Sequence, residues 1–171
     1  MEIINRKSMT LVELIVVIGM MTILTATIFF VYNLHFKSWN QGYTRSVIRG
    51  KLSQALELMG NRLLQAQSID AFSESSITFT ADLGNGSNKY RLYLFNADEP
   101  GAHPPYTQST YSLLSAQGTV NDGDGVVLSA DILQPSSPPF TISGKLITIN
   151  LTAGKGAEQV TMNTNVRPRN L

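Results

Sequence analysis

The spacing of hydrophobic and polar positions divides the chain into three textures. Residues 14–36 contain no Asp, Glu, Lys or Arg. Within them, residues 14–32 read LIVVIGMMTILTATIFFVY, interrupted only by Gly19, Thr22, Thr25 and Thr27. Wound as a helix at about 1.5 Å per residue, such a run covers roughly 30 Å, the thickness of a hydrocarbon core. It predicts a transmembrane helix, because a buried core helix is usually shorter and keeps a polar face. A cleaved secretory signal has an apolar region of about 7–15 residues and a small-x-small site after it; this run is longer and no such site follows. From Ser46 the pattern becomes amphipathic: Ile48, Leu52, Ala55, Leu56, Met59, Leu63 and Ala66 recur in steps of three and four. No proline precedes Pro100, so one helix is predicted from about residue 10 to about residue 68. Gly42, Gly50 and Gly60 each cost about 1 kcal/mol relative to Ala and mark candidate bends.

After Ser68 the period shortens to two and turn residues multiply. Residues 77–83 and 90–95 flank Gly84-Asn85-Gly86-Ser87-Asn88, a hairpin signal. Residues 97–109 hold Pro100, Gly101, Pro104 and Pro105 and read as a loop. Short strands are predicted over 111–114, 126–132, 141–143, 145–152 and 160–166, with 141–143 and 145–152 pairing across Ser143-Gly144. The fold class is α+β: a long N-terminal helix, transmembrane in its first half and amphipathic in its second, packed on an antiparallel β-sheet head. The divisions are residues 1–8 as a leader, 9–36 as the membrane helix, 37–68 as an amphipathic stem and 69–171 as a β-rich head.

Charge sharpens this division. Of 171 residues only 15% are charged and the net charge is +1, which excludes a binder working through a strong basic field. There is no cysteine, so disulfides, thiolate metal sites and Cys nucleophiles are out. Arg6 and Lys7 precede the span and place the N-terminus in the cytoplasm, although Lys37, Arg45, Arg49 and Lys51 follow it. The stem from Lys37 to Ala66 has net charge +4 and the chain from Gln67 onward has net charge −3. A basic stem and an acidic head favour staggered contacts between subunits; solvated faces are the simpler reading.

Glu13 is the one carboxylate at the start of the apolar helix. A charge in lipid is costly, about 2.5–3.5 kcal/mol at a helix centre and less near an end. A capping box is one compensation, with Thr10 as N-cap and Glu13 three residues on, each serving the other's free amide.

A resemblance supplies another. Arg6-Lys7-Ser8-Met9-Thr10-Leu11-Val12-Glu13-Leu14, followed by the apolar run, resembles the N-terminus of type IV pilins and pseudopilins. That family joins a short basic leader, a small residue before the cut, an apolar first mature residue and Thr-Leu-x-Glu-Leu. The resemblance implies cleavage between Ser8 and Met9 by a membrane prepilin peptidase, N-methylation of Met9, and pairing of Glu13 with the N-terminal amine of a neighbouring subunit, with Thr10 and Leu11 in the same assembly segment. This chain has Ser8 where the family usually has Gly and Met9 where it usually has Phe. It also lacks the proline that many major pilins carry near the position of Phe30, which is more like a minor subunit. Tyr90-Arg91-Leu92-Tyr93, Tyr111-Ser112-Leu113 and the ending Val166-Arg167-Pro168-Arg169-Asn170-Leu171 resemble the J-type minor pseudopilin of type II secretion and the W-type minor pilin.

The function so implied is structural: a minor pilin or pseudopilin assembled through its N-terminal helix into a type IV pilus or type II secretion pseudopilus, priming or capping the filament. Its partners would be prepilin peptidase, other pilin or pseudopilin subunits, an inner-membrane assembly platform and membrane lipid, with no nucleic acid. The head would lie outside the inner membrane. The alternative is a membrane-anchored binding module, an adhesin or DNA-uptake head, which needs an exposed aromatic or basic cluster on the head. An enzyme is not expected: His35 and His103 have no partner set for zinc or a triad, and no phosphate loop or nucleophile elbow occurs. No cofactor is expected. Asp122 and Asp124, two apart in Asn121-Asp122-Gly123-Asp124-Gly125, offer the one place for calcium, but the EF-hand spacing fails and a plain Asx turn accounts for them.

Overall fold

The computed structural model describes residues 10–99, 106–118, 123 and 125–170. Among them it has one helix, α1 (Leu11–Leu64), and eight strands: β1 (Ala66–Ser73), β2 (Ser76–Asp82), β3 (Ser87–Phe95), β4 (Thr110–Gln117), β5 (Val126–Leu133), β6 (Phe140–Ser143), β7 (Leu146–Lys155) and β8 (Glu158–Val166). This is the expected α+β, pilin-like layout. The chain divides into two compact units, Met1–Tyr43 and Thr44–Leu171.

In the first unit α1 packs against nothing. Every residue from 10 to 43 is exposed, including Leu24, Phe30 and Trp39. Its best 18-residue window has a mean hydropathy of 2.6. The helix is therefore long and apolar enough to cross a membrane, and it buries none of that apolar surface within the chain.

In the second unit α1 presents one stripe to the sheet. Ile48, Leu52, Ala55, Leu56, Met59 and Leu63 are buried, the positions the three- and four-residue steps predict. They meet Ile77, Phe79, Leu92, Leu94, Leu113, Ile132, Phe140, Ile147, Ile149 and Leu151 from the sheet in one core. Gly42, Gly50 and Gly60 lie within α1, which is assigned as helix without interruption.

The helix stops at Leu64, four residues short of the predicted end, and β1 begins at Ala66. Ala66 fits the helical step and is fully buried, but it is buried as the first residue of a strand. The turn is made by Gln65, whose N–H donates to the Arg62 carbonyl at 3.2 Å. The C-terminal tail closes the same end: Arg169 N–H donates to the Leu64 carbonyl at 3.2 Å. An orphan carbonyl of the helix terminus is thereby satisfied.

The strands form one antiparallel sheet running β1-β2-β3-β4-β5-β7, with β6 and β8 also on β7. Residues Ile147 and Ile149 of β7 pair with β6 and with β8 at once, and Ala153 pairs with both Ile132 of β5 and Val160 of β8. β5 and β6 therefore share one side of β7 and β8 takes the other, and among the described strands β1, β6 and β8 each pair on one side only. The hairpin predicted around Asn85-Gly86 is β2–β3, in register from Ser76↔Tyr93 to Asp82↔Ser87. Its cross-strand pair Phe79↔Tyr90 stacks with ring centroids 5.8 Å apart, and both rings are buried in the core.

The sheet's other face carries a smaller cluster of Tyr93, Leu114 and Ala116 with Phe95 beside it. Gly123 lies over it, its N–H donating to Tyr93 Oη at 3.1 Å. A Cβ at Gly125 would stand 3.1 Å from the Ser115 carbonyl oxygen, so this approach admits only glycine without a shift.

Candidate functional site

The candidate site is the start of α1. Thr10 immediately precedes the helix, and Leu14 N–H donates to the Thr10 carbonyl at 3.2 Å. Glu13 curls back, and its Oε2 accepts from Thr10 N–H at 2.9 Å and from Thr10 Oγ1 at 3.0 Å. Thr10 Oγ1 in turn accepts from Glu13 N–H at 3.3 Å. This is the reciprocal capping box that the sequence allows. The anionic side chain sits at the positive end of the helix dipole. Among the described residues both side-chain hydrogen bonds of Glu13 fall on Oε2. Leu11, beside the box, is largely exposed.

The remaining site predictions fall partly outside the described residues. Arg6, Lys7 and the Ser8–Met9 junction lie there, as do His103, Asp122 and Asp124. Among the described residues no group of three or more His, Asp or Glu side chains is placed to hold a metal. His35 is exposed on the helix.

The apolar span has a feature that sequence reading passed over. Its polar side chains are bonded internally. Thr22, Thr25 and Thr27 hydroxyls donate to the carbonyls of Ile18, Met21 and Ile23 at 2.8, 2.8 and 2.9 Å. Asn33 Nδ2 donates to the Phe29 carbonyl at 2.8 Å. Each of these four side chains finds an acceptor within one turn, which lowers the cost of placing it in lipid. The signal was the i, i−4 reach of Thr and Asn in any helix.

In the head, Arg62 donates through Nη1 to the buried Ser115 Oγ, tying the last turn of α1 to β4. A second polar cluster holds the connection between β3 and β4. Glu99 Oε2 accepts from Tyr111 Oη at 2.5 Å, Thr107 Oγ1 at 2.7 Å, Thr107 N–H at 3.0 Å and Gln108 N–H at 3.3 Å. Those bonds, Tyr111's first, pull its carboxyl down to about 2. Tyr106 packs edge-on against Tyr111 at 5.6 Å, and burial pushes its phenol up to about 12. Among the described residues these bonds tie Glu99 to residues 107, 108 and 111.

Comparison of the chain with protein-family models, with curated proteins and with solved structures finds no match. The class the fold defines is α+β, a long N-terminal helix with an antiparallel sheet on its second half.

Proposed function

We propose that this protein is a minor pilin or pseudopilin. In this reading it is a structural subunit, made with a leader of residues 1–8, cut between Ser8 and Met9, methylated at Met9 and assembled through its N-terminal helix. The observation that carries the reading is the placement of Glu13. A single carboxylate, bonded in a capping box, opens a helix whose first 33 residues are all exposed and whose residues 14–36 carry no charged side chain. The capping box meets its hydrogen-bonding demand inside one chain. It does not neutralise the charge, and a neighbouring subunit's amine would. The N-terminus faces the cytoplasm and the head lies outside the inner membrane, where the subunit primes or caps a type IV pilus or type II secretion pseudopilus.

The test separates the cap from the charge. Glu13→Gln keeps a side-chain acceptor for Thr10 N–H and removes the charge, since Gln serves in a capping box as Glu does. On this reading the Gln variant inserts in membranes at the wild-type level but is lost from sheared or purified filaments. Wild-type incorporation of Glu13→Gln would leave Glu13 as a helix cap only.

A further inference from the structure

The β2–β3 hairpin turns through Leu83, Gly84, Asn85 and Gly86. Asn85-Gly86 is the chain's one Asn-Gly dipeptide, and both residues are exposed. Among the described residues side chains hold this loop. Asp82 Oδ1 accepts from Gly84 N–H at 2.9 Å. Asn88 Nδ2 donates to the Asn85 carbonyl at 3.2 Å and to the Gly86 carbonyl at 3.1 Å. Two groups adjacent along the chain are left over: the Asn85 side-chain amide makes no hydrogen bond, and Gly86 N–H finds no acceptor among the described residues. Gly86 sits at φ +82°, where a side chain would be strained, and a Cβ built there meets nothing within 4 Å. Its nitrogen is therefore open to approach.

A backbone amide attacks a carboxamide carbon as its anion. The charge of that anion is shared with the carbonyl oxygen of the same peptide unit, so a donor to that oxygen favours the anion. The Asn85 carbonyl and Gly86 N–H form one such unit, and Asn88 donates to it. Other asparagines lack this combination. The side-chain amides of Asn33 and Asn96 are spent on the Phe29 and Thr110 carbonyls. Asn150 and Asn163 face each other inside β7 and β8, where the backbone rotation that ring closure needs would break the ladder.

We propose that Asn85 and Gly86 form a self-modifying site, with Asn88 as its positioning residue and water as the only co-reactant. Gly86 N gives up its proton and attacks Asn85 Cγ. The new N–Cγ bond closes a five-membered succinimide, the Cγ–Nδ2 bond breaks, and Nδ2 leaves as ammonia with the proton that the backbone released. Water then adds to one of the ring's two carbonyl carbons and breaks its bond to nitrogen. Opening at Cγ leaves an aspartyl residue. Opening at the main-chain carbonyl leaves an isoaspartyl residue, whose backbone runs through Cβ and Cγ. Either product adds one negative charge, taking the chain from Gln67 onward from −3 to −4, and the isoaspartyl form lengthens the loop. Ammonia lost to water does not return, so the modified fraction records the age of the folded chain. The site stands apart from whatever the chain assembles with.

Peptide mass spectrometry tests this on the full-length protein in detergent micelles, incubated in neutral buffer made with heavy-oxygen water. Label gained at position 85 marks conversion during the incubation, and electron-transfer fragmentation separates the aspartyl from the isoaspartyl product. Both products should build up there about tenfold or more faster than at Asn150 and Asn163, whose paired strands must first open. Conversion at position 85 no faster than at those two overturns the site. Asn88→Asp is nearly isosteric and, when ionised, cannot donate; Asn88→Ala removes the donor outright. Each should slow conversion by about fivefold, equivalent to about 1 kcal/mol in the barrier. A wild-type rate in either variant, at an unchanged melting temperature, overturns the part given to Asn88.

Discussion

Leu52 and Leu24 make a controlled comparison on one helix. Leu52 is fully buried under the sheet, whereas Leu24 is 57% exposed. Truncating Leu52 to Ala removes three carbons from the core, worth about 0.8 kcal/mol each in lost transfer energy. A residual cavity of about 50 Å³, at about 24 cal/mol per Å³, adds about 1 kcal/mol, so Leu52→Ala should cost about 3.5 kcal/mol. For a domain of this size that lowers the melting temperature by roughly 10–15 °C. Leu24→Ala should leave the head's melting within about 0.5 kcal/mol of wild type, because surface substitutions away from packing are that small. Calorimetry or near-ultraviolet circular dichroism of the full chain in detergent reads both. A Leu52→Ala cost below about 1 kcal/mol would refute the packing of α1 on the sheet. An equal loss from Leu24→Ala would refute the division of one helix into an exposed apolar half and a core-forming half.

Further outcomes follow from the head. Glu99 has its carboxyl lowered from 4.5 to about 2 in the folded state, so its bonds contribute fully above about 4.5 and are lost as pH falls through about 2. The loop should hold its conformation at pH 5 and loosen only toward pH 2, and Tyr111→Phe should raise the Glu99 midpoint in an NMR titration; an unmoved midpoint refutes the assignment of cause. Among the described residues Tyr106 Oη is a buried polar atom with no hydrogen-bond partner. Tyr106→Phe should therefore be neutral or stabilising by up to about 1 kcal/mol in chemical denaturation, and a loss above about 1 kcal/mol contradicts its being unmet. Gly125→Ala should destabilise the head by about 1–3 kcal/mol, since the new methyl would stand 3.0 Å from Tyr93 Oη and 3.1 Å from the Ser115 carbonyl oxygen; a neutral result would contradict this close approach of Gly125 to β4.

Much of this architecture was legible because two periodicities are clean. The steps from Ile48 to Leu63 named the buried face of α1, and the alternation around Phe79 and Tyr90 named the β2–β3 hairpin. β1 was hidden for a physical reason: it is an outer strand with most of its residues at least partly exposed, so it has no apolar alternation, and its buried Ala66 continues the helical step. The Glu99 cluster was hidden because its partners Thr107, Gln108 and Tyr111 lie beyond a proline-rich loop and meet it only in space. At the candidate site, Thr10 and Glu13 could be paired from sequence because a capping box spans three residues. The role proposed for the Glu13 charge would need a second molecule, and single-chain geometry does not carry it.

The N-terminus of the protein isolated from native membranes tests the proposed processing most directly. Intact-mass and peptide mass spectrometry of that material should show a chain beginning at Met9 with a methylated α-amine and lacking residues 1–8. A mature chain that still begins at Met1 would contradict processing and, with it, assembly through a freed amine facing Glu13.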